Sequence, residues 1–302
     1  MVKLLSPDYL ANVTMRAPGI KATQRFYEAN WGLVLAEETA DSLYFRGTSA
    51  EPFIYGLRED STFGLDAVTF HVADLARLEA LHRQLSETGV RLQGPLLAQT
   101  TPGGGIGFSA LDPDHRRLRF VTGVTPRPAA GDEVARPRKI THVVLNSARG
   151  DDFVAFYTSC LGFRISDYSA EQMVFLRCAS DHHAIALNRS PYASVNHVAF
   201  EMPGIDSFMR GIGRMKTLGQ APAWGPGRHG PGNNPFAYFV SPSGFVIEFT
   251  TEVQQIDEAH HQPQVWPRDV PEKLDVWMTA GPPTPAMRAV MQGRPDPGFP
   301  EG

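Results

Sequence analysis

Only two cysteines occur in 302 residues, Cys160 and Cys178. That is too few for a disulfide framework and in keeping with a reducing compartment. No apolar run approaches the roughly 18 residues that a membrane-spanning helix needs. The opening MVKLLSPDYL has one basic residue and a short apolar stretch before Ser6-Pro7, so it does not read as a signal peptide. Basic blocks are missing too: 28 Lys and Arg against 32 Asp and Glu give a formal charge of -4, which indicates no nucleic-acid footprint. With 42% hydrophobic and 20% charged residues, the disordered and fibrous classes are excluded. The expectation is a soluble cytoplasmic protein with neither nucleic acid nor membrane as a partner.

What the chain does contain is a repeat. Residues 123–139, GVTPRPAAGDEVARPRK, are rich in Pro, Gly, Ala and charge and read as a linker. On either side the same landmarks recur. A shift of 130 residues carries Asn12 to His142 and Ala67 to His197, and a shift of 129 carries Arg119 to Glu248. Each half divides again into a strand, a helix and further strands, as in 151–160, 173–177 and 184–188, then Val195, helix 205–218, 237–241 and 245–250. In helix 205–218 the residues Ile205, Phe208, Met209, Ile212 and Met215 share one predicted apolar face. The fold class is therefore α+β, with four βαβββ modules forming two pseudo-symmetric barrel-like domains. The expected boundaries are 1–123, a linker 124–139, 140–254, and a Pro-rich arm 255–302. Nine of the 25 prolines fall in 263–302, which forbids long helices or central strands there. Trp266 and Trp277 suggest an extended arm packed on a surface, and the final RPDPGFPEG is expected to be loose.

The catalytic argument comes from where the two halves differ. The second half has His142, His197 and Glu248 where the first has Asn12, Ala67 and Arg119. If each half is one curved sheet, these strand positions converge on one cavity. Two imidazoles and a carboxylate then form a three-ligand face with open positions, the arrangement of non-haem Fe(II) oxygenases. Singly, a histidine on an apolar strand is more often a hydrogen-bonded core residue. A buried Glu248 is harder to explain without a charge partner or a metal. Arg119 would repel a cation, so one metal site per chain is expected.

The motifs Gly227-Arg228-His229, Tyr238, Pro242-Ser243-Gly244 and Glu248 carry a family likeness. The second half resembles the catalytic half of the type I extradiol catechol dioxygenases, in the vicinal oxygen chelate superfamily (the glyoxalase/bleomycin resistance fold). Ala237 and Ser241 depart from that family's usual pattern. The resemblance implies Fe(II) held by His142, His197 and Glu248, with Mn(II) also acceptable to those ligands. It further implies that His183 is the acid–base group and that His229 and Tyr238 bond the bound diol. Strand alternation does not choose between His182 and His183, and an exposed turn pair is the plain alternative. The implied reaction is cleavage of an aromatic vicinal diol, catechol or 2,3-dihydroxybiphenyl-like, by O2 in aromatic-compound catabolism, by a homo-oligomer. Two alternatives stand beside it: an isomerase or transferase using the metal as a Lewis acid, and a metal-free protein that binds an aromatic ligand. His260-His261 in the tail, and His71, His82 and His115 in the first half, read as structural or surface groups, and the cysteines have no role.

Overall fold

The computed structural model describes residues 4–300. Within them, a strand, a helical segment and three strands follow one another four times. The first module is β1 (Tyr9–Ala17), two short turns of 3-10 and π type, then β2 (Val34–Glu38), β3 (Ser42–Arg46) and β4 (Tyr55–Glu59). The second is β5 (Gly64–His71), α1 (Leu75–Glu87), β6 (Leu97–Ala98), β7 (Ile106–Leu111) and β8 (Arg117–Thr122). The third is β9 (Ile140–Ser147), α2 (Gly150–Ala155), β10 (Arg164–Ser169), β11 (Met173–Arg177) and β12 (Ile185–Arg189). The fourth is β13 (Ser194–Glu201), α3 (Ile205–Thr217), β14 (Trp224–Arg228), β15 (Pro235–Val240) and β16 (Val246–Thr250). The arm adds β17 (Gln264–Trp266), α4 (Pro271–Leu274) and α5 (Pro285–Gln292).

Among the described residues the strands form two mixed sheets, ordered β2-β3-β4-β1-β5-β8-β7-β6 and β14-β15-β16-β13-β9-β12-β11-β10-β17. The second is the first read backwards, with β17 of the arm added at one edge. The repeat holds to the residue. Asn12 pairs with Thr69 and Thr69 with Arg119, just as His142 pairs with Ala199 and Ala199 with Glu248. Period-2 alternation puts one set of side chains into the core and the other into a cup on the opposite face.

One apolar core runs through both halves. Trp31 of the first half stacks on Phe249 of the second with ring centroids 3.7 Å apart. The linker carries no regular element, yet Thr48 N–H donates to Pro137 O and Arg138 N–H to Glu201 O. Helix α1 starts at Asp74, whose side chain accepts from Arg77 N–H. Helix α3 buries Phe208, Gly211, Ile212 and Met215. A Cβ on Gly211 would lie 2.9 Å from Met202 Cε and 3.3 Å from Phe249 Cε2, so a larger residue here would make the Met202 side chain shift.

Three expectations need correction. Ile205 and Met209 do not share the buried face of α3; they are 38% and 47% exposed, because the buried stripe of the helix runs through Phe208, Gly211, Ile212 and Met215. The predicted helix 151–160 is α-helical over 150–155 and then widens into a π turn, Phe156–Cys160. Nor is the chain end loose up to residue 300: Asp296 is buried and bonded to Arg16, while residues 301–302 lie outside the described residues. Among the described residues, no helix is long and apolar enough to cross a membrane.

Candidate metal centre

His142 lies on β9, His197 and Ala199 on β13, and Glu248 on β16. Their strands are adjacent in the order β16-β13-β9. His142, Ala199 and Glu248 form one row across the three strands, and His197 stands two residues along the middle one. Neighbouring strands lie about 4.8 Å apart, so His142 and Glu248 must lean across β13 to meet. Ala199 permits this, since a methyl group is all that fills the gap beneath them. The ligand atoms of the trio lie within 4.8 Å of one another, and all three residues are buried. No sequence signal pointed to Ala199.

The hydrogen bonds behind the rings decide their tautomers. Asn196 donates its amide N–H to Asn146 Oδ1, so its Oδ1 accepts from His197 Nδ1–H at 2.8 Å. Thr141 Oγ1 donates to Ala199 O and accepts from His142 Nδ1–H at 3.0 Å. Both Nε2 lone pairs are then bare. They lie 3.2 and 3.1 Å from the same Glu248 oxygen, and Glu248 Oε1 and His197 Nε2 make no hydrogen bond. Three converging lone-pair donors in a buried site require positive charge among them. A proton on a ring Nε2 can supply it; burial alone would raise the Glu248 carboxyl, but the adjacent rings then hold it down at about 2. A divalent cation supplies it with a ligand set of suitable chemistry, each imidazole oriented through its other nitrogen. The residues fit a metal.

The remaining predicted groups surround this trio. The His183 ring lies 4.1 Å from that of His142, and Tyr238 meets His197 edge-on at 5.0 Å. His229 Nε2 is 2.9 Å from Tyr238 Oη. His229 keeps part of its surface open, yet the atoms packed round its ring push its pKa down to about 4. Burial and the Glu248 charge push the Tyr238 phenol up, so it keeps its proton. Trp224 stacks on Tyr238 and Phe236 on His229, which fixes both planes.

His182 and His183 are no exposed turn pair: they are 0% and 3% exposed. The strand begins only at Ile185, and Ala184 and Ile185 both enter the core. This break in alternation puts His183 in the cup, on the same side as Ala186, where it packs edge-on against Phe175. His182 turns behind it, with Nδ1 2.9 Å from His183 Nδ1 and Nε2 3.1 Å from Asp167 Oδ2. Sequence reading missed Asp167. Burial lowers the pKa of both histidines, so they are neutral at neutral pH.

The other histidines stay apart from the trio. His260 is exposed beside Asp257, while His261 is partly buried and bonds Ser166 O. In the first half, Arg119 occupies the Glu248 position on β8. Among the described residues, His142, His197 and Glu248 are the one group of metal-ligand type found together.

The chain has relatives. Residues 139–249 match the model of the Glyoxalase/Bleomycin resistance protein/Dioxygenase superfamily. Metapyrocatechase 2 of Cupriavidus necator is 32% identical over 133 residues, 43% of this chain and 40% of that protein. This chain thus aligns with less than half of that relative's length. Biphenyl-2,3-diol 1,2-dioxygenase of Paraburkholderia xenovorans is 23% identical over 272 residues, 82% of this chain and 90% of that protein. Among solved structures, the Mn(II)-bound glyoxalase from Novosphingobium aromaticivorans is 34% identical, covers 94% of both chains and superposes with a TM-score of 0.88.

Proposed function

Because the chain belongs to the glyoxalase/bleomycin resistance protein/dioxygenase superfamily, we propose that it is an extradiol dioxygenase that opens an aromatic vicinal diol with O2. The observation that carries this reading is the company kept by the ligand trio. His183, Tyr238 and His229, all able to handle protons, stand round one cup with His142, His197 and Glu248. An iron(II) ion there would supply a Lewis acid and an electron path between a chelated diol and O2, and Mn(II) suits the same ligands.

The chain's own residues supply the rest. Tyr238 Oη and His229 Nε2 are 2.9 Å apart. When His229 donates Nε2–H to Oη, the phenol O–H is free to donate to a substrate oxygen, and when Tyr238 donates to Nε2, its Oη offers a lone pair. The stacked faces of Trp224 and Phe236 keep those two groups from turning away. His183, neutral and buried, takes a proton from a diol hydroxyl and returns it later as general acid. The aromatic C–C bond beside the diol breaks, and both oxygen atoms end in the product, a hydroxymuconic semialdehyde type of acid. No external reductant is needed.

One observation favours a second reading, a metal-dependent isomerase: the full-length relative at 34% identity bears the name glyoxalase. Oxygen separates the two. Anaerobic Fe(II) loading followed by oxygen-uptake measurements over a panel of catechols and biphenyl-type diols is expected to give uptake and a yellow product with at least one diol. Turnover without oxygen consumption would replace the dioxygenase by the isomerase.

A further inference from the structure

Asp167 ends a chain of contacts that begins at the metal centre. Its Oδ2 accepts from Trp266 Nε1–H at 2.7 Å and faces His182 Nε2 at 3.1 Å, while its Oδ1 accepts from Gln264 N–H at 2.8 Å. Gln264 and Trp266 belong to β17, which pairs in parallel with β10 through Asp167 and Ser169. Asp167, His182 and His183 are 3%, 0% and 3% exposed, so water does not compete for these bonds.

The protons follow from the donor inventory. Burial would raise the Asp167 carboxyl, but His182, Gln264 and Trp266 together hold it below its ordinary range, so it is ionised and only accepts. His182 must therefore carry its proton on Nε2, which leaves Nδ1 bare. His183 then donates Nδ1–H to that lone pair at 2.9 Å, and its own Nε2 is left as a free base. Had His182 carried its proton on Nδ1, His183 would have to accept there and would hold its proton on Nε2, unable to act as a base. The choice between these two arrangements is made at Asp167.

We infer that Asp167 and His182, clamped by Trp266 and Gln264 of the C-terminal arm, are positioning residues that fix His183 in its Nδ1–H tautomer for catalysis. This deepens the dioxygenase reading and rests on it. The proton that His183 Nε2 takes from a diol hydroxyl makes a cation, which the Asp167 carboxylate stabilises through His182. When the proton is returned the neutral tautomer is restored, so no proton is gained or lost. The arm is thereby part of the site, although it supplies no atom to the metal.

Two variants of the full-length chain test this, Asp167→Asn and Trp266→Phe. Histidine nitrogen NMR on the Zn(II)-loaded wild type should show His183 protonated at Nδ1 and bare at Nε2. In Asp167→Asn the carboxylate charge that favours the His182 proton on Nε2 is lost, so the share of His183 protonated at Nε2 should rise above that of the wild type. In the Fe(II)-loaded enzyme, kcat should fall about 10–100-fold, with KM for the diol and iron content unchanged. Trp266→Phe, which keeps the ring and loses only the N–H, should cause a smaller fall in the same direction. A wild-type His183 protonated at Nε2 would overturn the inference. So would unchanged kcat in both variants, or a loss confined to KM or iron content. If Asp167→Asn does not fold, the wild-type tautomer and Trp266→Phe decide the matter. The tautomer is read without diol or oxygen, so a chain that cleaves no diol would refute the dioxygenase reading alone.

Discussion

Arg16 and Asp296 form an ion pair sealed in the interior, Nη2 to Oδ1 at 2.5 Å, with side chains 7% and 1% exposed. Their positions lie 280 residues apart, and the bond ties the end of the arm to the second residue from the end of β1. Asp296 Oδ2 also accepts from Leu65 N–H, so both carboxylate oxygens are used by the first half. Asp296→Ala leaves a buried guanidinium unpaired, and such losses cost about 3–5 kcal/mol. Urea unfolding should show that drop in stability, and an unchanged midpoint would mean that the arm's end is not held by this pair.

Glu248→Gln removes the charge on which the trio depends while keeping its shape. A metal that binds the folded chain alone stabilises it by about 2.7 kcal/mol at a hundredfold excess over Kd. Fe(II) or Mn(II) under anaerobic conditions should therefore raise the Tm of the wild type, and a chelator should reverse the rise. Glu248→Gln should show little or no rise. Equal shifts in both proteins would place the metal elsewhere.

Ala199→Leu tests the gap under the metal centre. The larger side chain would stand where His142 and Glu248 reach across β13, and such overpacking costs about 1–3 kcal/mol. Metal content after loading should be lost while a folded protein remains, as judged by circular dichroism. Full metal occupancy would show that the ligands do not need the small residue.

His183→Phe should keep metal and diol binding, because the ligands lie on other strands, and should lower kcat by about 10²–10⁴-fold. Isothermal titration with the diol under anaerobic conditions, paired with oxygen uptake, separates the two effects. Wild-type turnover would remove His183 from the reaction.

Acid should destabilise the metal-free protein in a definite window. Burial lowers the folded pKa of His182, His183, His197 and His229, the last to about 4 from an ordinary 6.5. The unfolded chain thus binds more protons below 6.5, so stability is full above that pH and falls as pH drops through the window towards 4. At 1.36 kcal/mol per unit, His229 contributes on the order of 3 kcal/mol at most. Unfolding midpoints measured from pH 8 to pH 4 should decline most between those values, and His229→Gln should flatten the curve. A profile that stays level down to pH 4 would mean that these rings titrate normally.

Much of the site was legible because β-sheet register is periodic. A shift of 130 or 129 residues superposes the two halves, and three substitutions within that shift mark His142, His197 and Glu248. The pairings of His142 with Ala199 and of Ala199 with Glu248 reproduce the first-half register residue by residue. The choice between His182 and His183 was not legible. It turns on a break in alternation at Ala184 and Ile185, which both enter the core, and no residue type announces such a break. The apolar stripe of α3 was likewise overdrawn, since periodicity shows which residues share a face but not how wide a sheet lies beneath it.

From its residues alone this chain determines its four modules, their order and the make-up of the candidate metal trio, because those depend on local alternation and on a repeat that compares the sequence with itself. Only the tertiary structure decided that the Pro-rich arm returns to brace Asp167 through Trp266 and Arg16 through Asp296. Contacts between residues 99 and 280 positions apart leave no period in the sequence; they exist only once the sheets have formed and left buried polar groups for the arm to satisfy.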